Sequence, residues 1–404
     1  MSDNREKTCR RRHCMVVHAY YPLGETRVER EAQALLAHGI EVDVICLRVP
    51  GQPALAIVDG VQVHRLPARR YGGSGPLVQW FEYMVCLVLA FIYLTKWHLR
   101  RRYDVVQVHN LPDFLVFAAL VPKLTGARII LDLHDLMPEF YAERFRQSLD
   151  SLAVRLIRWQ EWLACRFADH IITVTEPWRQ VLIGRGQPAD KITVVMNVAD
   201  DRIFHREAAA DIHQDDGHFR LIYHGVMGRR HGLDLALRAI AQVRQTVPGI
   251  HLTLHGDGEY RQALANLVDE LGLQDHVEFS TYFVATAELP KLLGKADLGI
   301  VPYRDDIFTG GILPTKLMEY AAMGIPAIAA RTPAIAAYFD ESAVQFFTPG
   351  DVDELARCIL TLYHDRRRTA DLARNIAKFN ERYNWPEQQA VYLQLVNRLI
   401  EHKD

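Results

Sequence analysis

Lys316 and Glu319 stand about one helical turn apart, directly behind a loop that contains Gly310-Gly311. A strand, a glycine loop and a helix in that order present backbone N–H groups to a phosphate, and Lys316 adds a cation in the first turn. A second strand-to-helix turn reads Gly225-Val226-Met227-Gly228-Arg229-Arg230-His231-Gly232. Its glycines and guanidinium groups make another anion site. Two such turns on one small sheet imply a pyrophosphate or nucleoside diphosphate, although neither has the Walker A sequence. In the first half, His109 ends the apolar run DVVQVH, and His134, beside Asp135, follows RIILDL. Histidines at the carboxyl ends of neighbouring parallel strands converge on one crevice. A neutral imidazole there can hydrogen-bond a sugar hydroxyl or a phosphate, and Asp135 can orient or accept. Glu139, in MPEF, is placed at the same opening, as is Gly24 in the loop after the first strand.

The elements that must hold these groups alternate between apolar runs and amphipathic stretches. Around Lys316, residues 298–302 read as a buried strand, Pro314 as the first helical residue, Gly324 as the helix end and 326–330 as the next strand. Runs at 15–19, 41–47, 61–66, 104–109, 128–133, 171–174 and 191–196 predict strands in the first half. Those at 219–224, 252–255 and 277–279 repeat the pattern in the second. Strands alternating with helices predict an α/β fold with two doubly wound, Rossmann-like parallel sheets. At 404 residues the chain exceeds one ordinary core. The division read from it is a basic, disordered tail at 1–14, a first domain at 15–197, a second at 198–380, and a final helix at 381–404 that pads the second domain or crosses back to the first.

Residues 80–99 hold an uncharged run at 84–94, flanked by Trp80, Phe81, Tyr83, Tyr93 and Trp97 and followed by Lys96 and Arg100 to Arg102. The run is short for a spanning helix, which needs about 20 apolar residues. It suits either a core helix or a helix lying in a membrane interface. A further amphipathic helix at 152–167 carries Leu156, Trp159, Leu163 and Phe167 along one side.

Hydrophobic residues make up 49% and charged residues 24% of the chain, an ordinary globular composition. The net charge of −2 is unevenly divided: residues 1–197 carry 25 Lys/Arg against 20 Asp/Glu. This favours an anionic membrane surface over nucleic acid as a partner of the first half, and no nucleic-acid partner is expected. Cys46, Cys86, Cys165 and Cys358 lie in apolar runs as buried thiols do. Cys9, His13 and Cys14 cluster, but no second ligand pair follows, so no metal site is expected there. The opening residues lack a signal peptide's apolar core.

The stretches YPLGETRVEREAQAL, DVVQVHNLPDF, ILDLHDLMPE, NVADDRIF, YHGVMGRRHGLDLAL and PTKLMEYAAMGIPAIA together resemble the bacterial family-four retaining glycosyltransferases of the GT-B fold, from residue 15 onward. The resemblance implies two Rossmann-like domains facing across a cleft, and sugar transfer from a nucleoside-diphosphate sugar to a lipid-linked or saccharide acceptor in cell-surface polysaccharide synthesis. It implies a donor site on the second domain. There Glu319 holds the ribose hydroxyls, the backbone of Gly311, Ile312, Leu313, Pro314 and Thr315 meets the diphosphate with Lys316 nearby, and Arg230 or Arg229 supplies the pyrophosphate cation. His109, His134 and Asp135 match the region facing the transferred sugar and the acceptor. Strict alignment puts Val226 and His231 where the family has its basic pair, and Gly311 where it has its first glutamate. No cofactor is implied, and no D-x-D metal motif stands near Asp305-Asp306, so metal-independent transfer is expected. The expected location is cytoplasmic, peripheral on the inner face of the cell membrane. A GT-B nucleotide-sugar epimerase and a non-catalytic sugar-nucleotide-binding scaffold are the alternatives.

Overall fold

The computed structural model describes residues 11–23, 25–69, 75–206, 217–280 and 284–401. The chain forms two compact units: one runs to Met196 and takes in Gln388 onward, and the other is Asn197–Glu387. Gly24 and most of the basic tail lie outside the described residues.

The first unit is built on an eight-stranded sheet: β1 (Arg12–Val16), β2 (Glu41–Leu47), β3 (Leu55–Val58), β4 (Val61–Leu66), β5 (Val105–His109), β6 (Arg128–Leu133), β7 (His170–Thr173) and β8 (Ile192–Val194). Its order is β3-β4-β2-β1-β5-β6-β7-β8, parallel except for the β3–β4 hairpin. The chain order reverses at β1/β5, the switch point where open α/β sheets bind ligands. The first strand begins at Arg12, inside the stretch read as a tail. Polar letters hid it: His13 is fully buried and its Nε2 meets Gln107 Oε1 at 3.2 Å, while Cys14 is a core thiol. The Arg12 backbone N–H donates to Asp104 and its guanidinium pairs with Glu41 at 3.0 Å, anchoring the strand start.

The helix Pro76–Arg101 is longer than the uncharged run suggested. Val78–Arg101 is long and apolar enough to cross a membrane by length and composition. One face, however, is protein core, with Cys86, Ala90, Leu94 and His98 buried. His98 joins Thr125 Oγ1 at 2.8 Å and the Tyr103 backbone N–H at 3.2 Å, and Glu82 pairs with His18 at 3.1 Å. The opposite face exposes Phe81, Val85, Val88, Ile92 and Leu99 at successive turns. On the helix Leu152–Phe167 the expected apolar side is divided: Leu156 and Trp159 are exposed with Leu152 and Trp162, Leu163 and Phe167 are half-buried, and Val154, Glu161, Ala164 and Cys165 face inward. Glu161 is drawn in by Arg185, which takes both its oxygens at 2.8 and 2.9 Å. That pairing helps set the helix rotation and leaves Leu156 and Trp159 exposed.

The second unit holds a six-stranded, wholly parallel sheet of β9 (Phe219–His224), β10 (Ile250–His255), β11 (Val277–Phe279), β12 (Leu298–Val301), β13 (Ala327–Ala330) and β14 (Gln345–Phe347). Its order, β11-β10-β9-β12-β13-β14, is the 3-2-1-4-5-6 dinucleotide-fold order with the switch point between β9 and β12. The turns after those strands carry the two predicted anion loops. Gly232 has φ +65°, and a methyl there would lie 1.8 Å from the Pro302 carbonyl oxygen. The turn after β9 can close against the loop after β12 only because residue 232 has no side chain. Gly256 plays the same part on the β10 side, where a Cβ would lie 2.0 Å from Gly225 O. Gly232→Ala therefore forces backbone apart in the middle of the sheet edge. It should lower the second unit's stability by at least about 2 kcal/mol, read as a drop in the urea midpoint, with the far-UV circular dichroism of the folded state retained.

Candidate active site

In the second unit the helix Thr315–Met323 begins after Pro314 rather than on it, with no side-chain cap. The Leu317 N–H turns back to Pro314 O at 3.0 Å, which leaves the N–H groups of Thr315 and Lys316 for solvent or a ligand. Lys316 is 7% exposed. Its Nζ donates to Tyr303 Oη at 2.8 Å and lies 4.8 Å from the Tyr223 ring centroid and 5.0 Å from that of Tyr303. Burial works against this charge, but the two tyrosines and Glu319 outweigh it, so the pKa sits above the ordinary lysine value and the ammonium stays charged. A Cβ on Gly225 would lie 3.6 Å from Nζ, so the ammonium sits against the bare backbone of the turn after β9. Tyr223 ends in that turn, with its hydroxyl donating to Val226 O at 2.6 Å.

Glu319 hydrogen-bonds His224 Nε2 through one carboxylate oxygen, and His224 Nδ1 meets Tyr320 Oη at 3.2 Å, which donates on to Ile222 O at 3.1 Å. The carboxylate keeps some exposure beside this buried chain. His231 is buried against Tyr303, and its Nδ1 accepts the Gly228 N–H at 3.1 Å. Burial first, then Lys316 and Arg230, pushes its pKa down to about 3, so it is a neutral turn-holding ring rather than a phosphate cation. Of the two arginines, Arg230 has its guanidinium 5.2 Å from the Phe308 ring centroid, and its carbonyl accepts from Arg304 N at 3.0 Å. Arg229 is exposed. Asp306 is occupied in shaping the loop: one oxygen accepts the Phe308 and Thr309 N–H groups at 2.9 and 2.8 Å. Gly311 closes a short 3-10 turn, Thr309–Gly311, and Ile312 is half-buried, whereas Leu313 is buried.

In the first unit His109 and His134 do come together, with His109 Nδ1 3.1 Å from His134 Nε2. Their common partner is Asp132, whose oxygens lie 3.3 Å from His109 and 3.6 Å from His134. The Asp135 backbone carbonyl accepts from the Asn110 amide, and Asn110 Oδ1 takes the His134 N–H at 2.8 Å. Asn110 in turn donates to Asp113 at 2.9 Å. His109 is wholly buried, and its Nε2 has no hydrogen-bond partner, whereas the His134 side chain retains 21% exposure. His134 is therefore the imidazole a ligand can reach, with His109 behind it.

Arg27 grips both Asp132 oxygens at 3.1 Å, meets Glu31 at 3.2 Å and donates to Val195 O at 2.9 Å. Gln107 donates to Glu31 and Asp132 and accepts from Tyr392 of the C-terminal helix at 2.7 Å. Burial opposes charge on Asp132, but Arg27 and the histidines hold it well below the usual carboxylate range. His109, Asp132 and His134 lie close enough to hold a metal ion. The Arg27 guanidinium on both Asp132 oxygens sets a fixed positive charge beside this cluster, and its repulsion opposes a cation there. Glu139 is buried and paired with Arg185 rather than free at the opening.

The residues that sequence reading passed over, Arg27, Asp132 and Gln107, carry faint signals. Arg27 and Glu31 share a helical face at i, i+4, and Asp132 and Gln107 are polar letters inside strands apolar on both faces. Tyr223 and Tyr303, at strand ends, were passed over as well.

A buried ammonium thus stands at the switch point of the second unit, and a paired imidazole cluster ends two strands of the first. Residues 24–197 match the family described as a glycosyl transferase 4-like domain, and residues 218–365 match the glycosyl transferases group 1. These spans take in most of the chain, and the protein belongs to the glycosyltransferases of the GT-B fold. Chitobiosyldiphosphodolichol beta-mannosyltransferase of Debaryomyces hansenii is 23% identical over 344 residues, 76% of this chain and 70% of that protein. Sucrose-phosphate synthase of Thermosynechococcus elongatus has the same fold, with a TM-score of 0.78 at 19% identity over 97% of this chain and 100% of that one. An Anabaena protein solved with UDP-glucose gives 0.70 at 18%, over 96% and 99%.

Arg27→Met leaves Asp132 and Glu31 buried without their cation, and should cost about 3–5 kcal/mol in urea unfolding. Stability also depends on pH through Asp113. Burial pushes the Asp113 carboxyl up to about 7, with the Asn110 hydrogen bond and Arg185 opposing only in part. Such a group holds more protons folded than unfolded, so its contribution is present below about pH 4 and is lost as pH rises toward 7. Asp113→Asn removes that loss, and the urea midpoint of the variant should gain on wild type between pH 5 and pH 8.

Proposed function

We propose that this glycosyltransferase moves a sugar from a nucleoside-diphosphate sugar to a lipid-linked or saccharide acceptor in cell-surface polysaccharide synthesis, with retention of configuration and without a metal ion. The observation that carries the reading is the charged, buried Lys316 beside the Gly225 backbone and the uncapped helix start at Thr315. A diphosphate placed there meets an ammonium, helix N–H groups and the Arg230 guanidinium, which supply fixed positive charge for a leaving group. Glu319, held from behind by His224, takes the ribose hydroxyls. His134, backed by His109 and Asp132, serves the transferred sugar and the acceptor hydroxyl. The sugar–phosphate C–O bond breaks, the acceptor oxygen bonds to the same carbon on the same face, and its proton passes to the departing phosphate oxygen.

The lipid-linked acceptor is supported by the name of the dolichol-specific relative and by the surface of the first unit. The exposed apolar faces of Pro76–Arg101 and Leu152–Phe167 are accompanied by exposed Lys96, Arg100, Arg155 and Arg166. Apolar and cationic side chains together suit peripheral attachment to an anionic cytoplasmic leaflet.

Thermal melting against a panel of nucleoside-diphosphate sugars, with EDTA present throughout, tests the donor site. The matching donor should raise the midpoint through mass action, and Glu319→Ala should reduce that shift markedly. A panel without any stabilising member, or a full shift in the alanine variant, would refute the assignment.

A further inference from the structure

We infer that an apolar pocket in the first unit, walled by the helices Pro76–Arg101, Met137–Arg144 and Leu152–Phe167, holds the hydrocarbon segment of a lipid-linked acceptor next to its head group. The inference rests on the transferase reading above and gives it a substrate class. The pocket encloses about 580 Å³ between Tyr83, Phe114, Phe140, Phe145, Leu156 and Ile157. Packed interiors leave few voids larger than a water molecule, and a cavity of this size and lining lies within the range of small-molecule sites.

Its position selects the occupant. Leu111 and Met137 also line it. Leu111 follows Asn110, whose Oδ1 holds the His134 backbone N–H, and Met137 lies two residues beyond Asp135. The backbone that sets His134 thus forms one wall, so a chain in the pocket has its head group near the exposed imidazole. At the other side, Trp80 and Leu156 line the pocket and are each 58% exposed. The pocket therefore opens onto the exposed apolar faces of the two long helices, and a lipid chain can enter from a bilayer without crossing water.

Two polar features favour an amphiphile over plain hydrocarbon. Gln160, in the wall, has a buried amide nitrogen with no hydrogen-bond partner, a costly arrangement that a ligand oxygen would relieve. The exposed Arg144 guanidinium lies 5.9 Å from the ring centroids of both Phe140 and Phe145, placing positive charge at the rim, complementary to a lipid phosphate.

The test uses dodecyl phosphate carrying a diazirine on its chain, irradiated with the full-length protein and mapped by peptide mass spectrometry. Adducts are expected on pocket residues such as Phe114 and Ile157, and Ala153→Trp should cut their yield at least tenfold by filling the space. Ile157→Trp serves as an independent filling variant, and both are checked by thermal melting, so one misfolded protein does not decide the matter. Sedimentation with phosphatidylglycerol vesicles should be unchanged in the folded variant. Adducts confined to the outer stripe of Phe81, Val88 and Ile92, or a yield unaffected by folded filling variants, would overturn the inference. The transferase reading fails separately: wild type that labels in the pocket yet transfers no sugar into a membrane lipid extract supports the pocket and refutes the transferase.

Discussion

One buried charge organises the second unit. An isolated ammonium in a protein interior costs several kcal/mol, and Lys316 is tolerated because two tyrosines from two strand ends enclose it. Tyr223 comes from β9 and Tyr303 follows β12, so the ion can be held only where those strands lie side by side, at the reversal of chain order. Gly232 and Gly256, each filling a space without room for a Cβ, let the three strand-end loops close to the required distance. The helix start at Thr315 is delivered to the same point. Fold and site are thus one constraint: the parallel order puts strand ends together, the glycines allow close approach, and the lysine makes the junction positive.

The first unit solves a different problem with similar means. Arg27, Glu31, Gln107 and Asp132 are all buried, and each is satisfied mainly by the others. Such a network is strong when complete and costly when one member is missing. It ties the first helix to β5 and β6, and Tyr392 adds the C-terminal helix to the same set. The consequence at the surface is a histidine pair of fixed orientation, with the inner ring buried and the outer one open. Asn110, braced by Asp113, fixes the backbone of the outer histidine from the other side.

Much of this was legible in the sequence. The strands Glu41–Leu47, Val61–Leu66, Arg128–Leu133 and Phe219–His224 stand where apolar runs placed them, because parallel strands buried on both faces leave an unbroken signal. The meeting of His109 and His134 followed from strand ends alone. What escaped was whatever depends on partners distant in sequence. The first strand was hidden by Arg12 and His13, whose polarity is matched by Glu41 and Gln107. Asp132 was passed over because an aspartate inside an apolar strand gives no sign of the arginine, 105 residues away, that holds it. The helix Leu152–Phe167 was legible as amphipathic, but that its inward face includes Glu161 depends on Arg185, a partner 24 residues away. His231, aligned with a family cation, turns out to be a buried neutral ring.

Transfer as proposed here depends above all on the Lys316 ammonium stabilising the departing diphosphate. The most direct measurement is the turnover of radiolabelled sugar from the stabilising donor into a membrane lipid extract, for wild type and for Lys316→Met, which keeps the length of the side chain and removes its charge. Loss of this preorganised charge should lower kcat by about a hundredfold or more, with the variant still folded. An unchanged kcat in folded Lys316→Met protein would contradict the account.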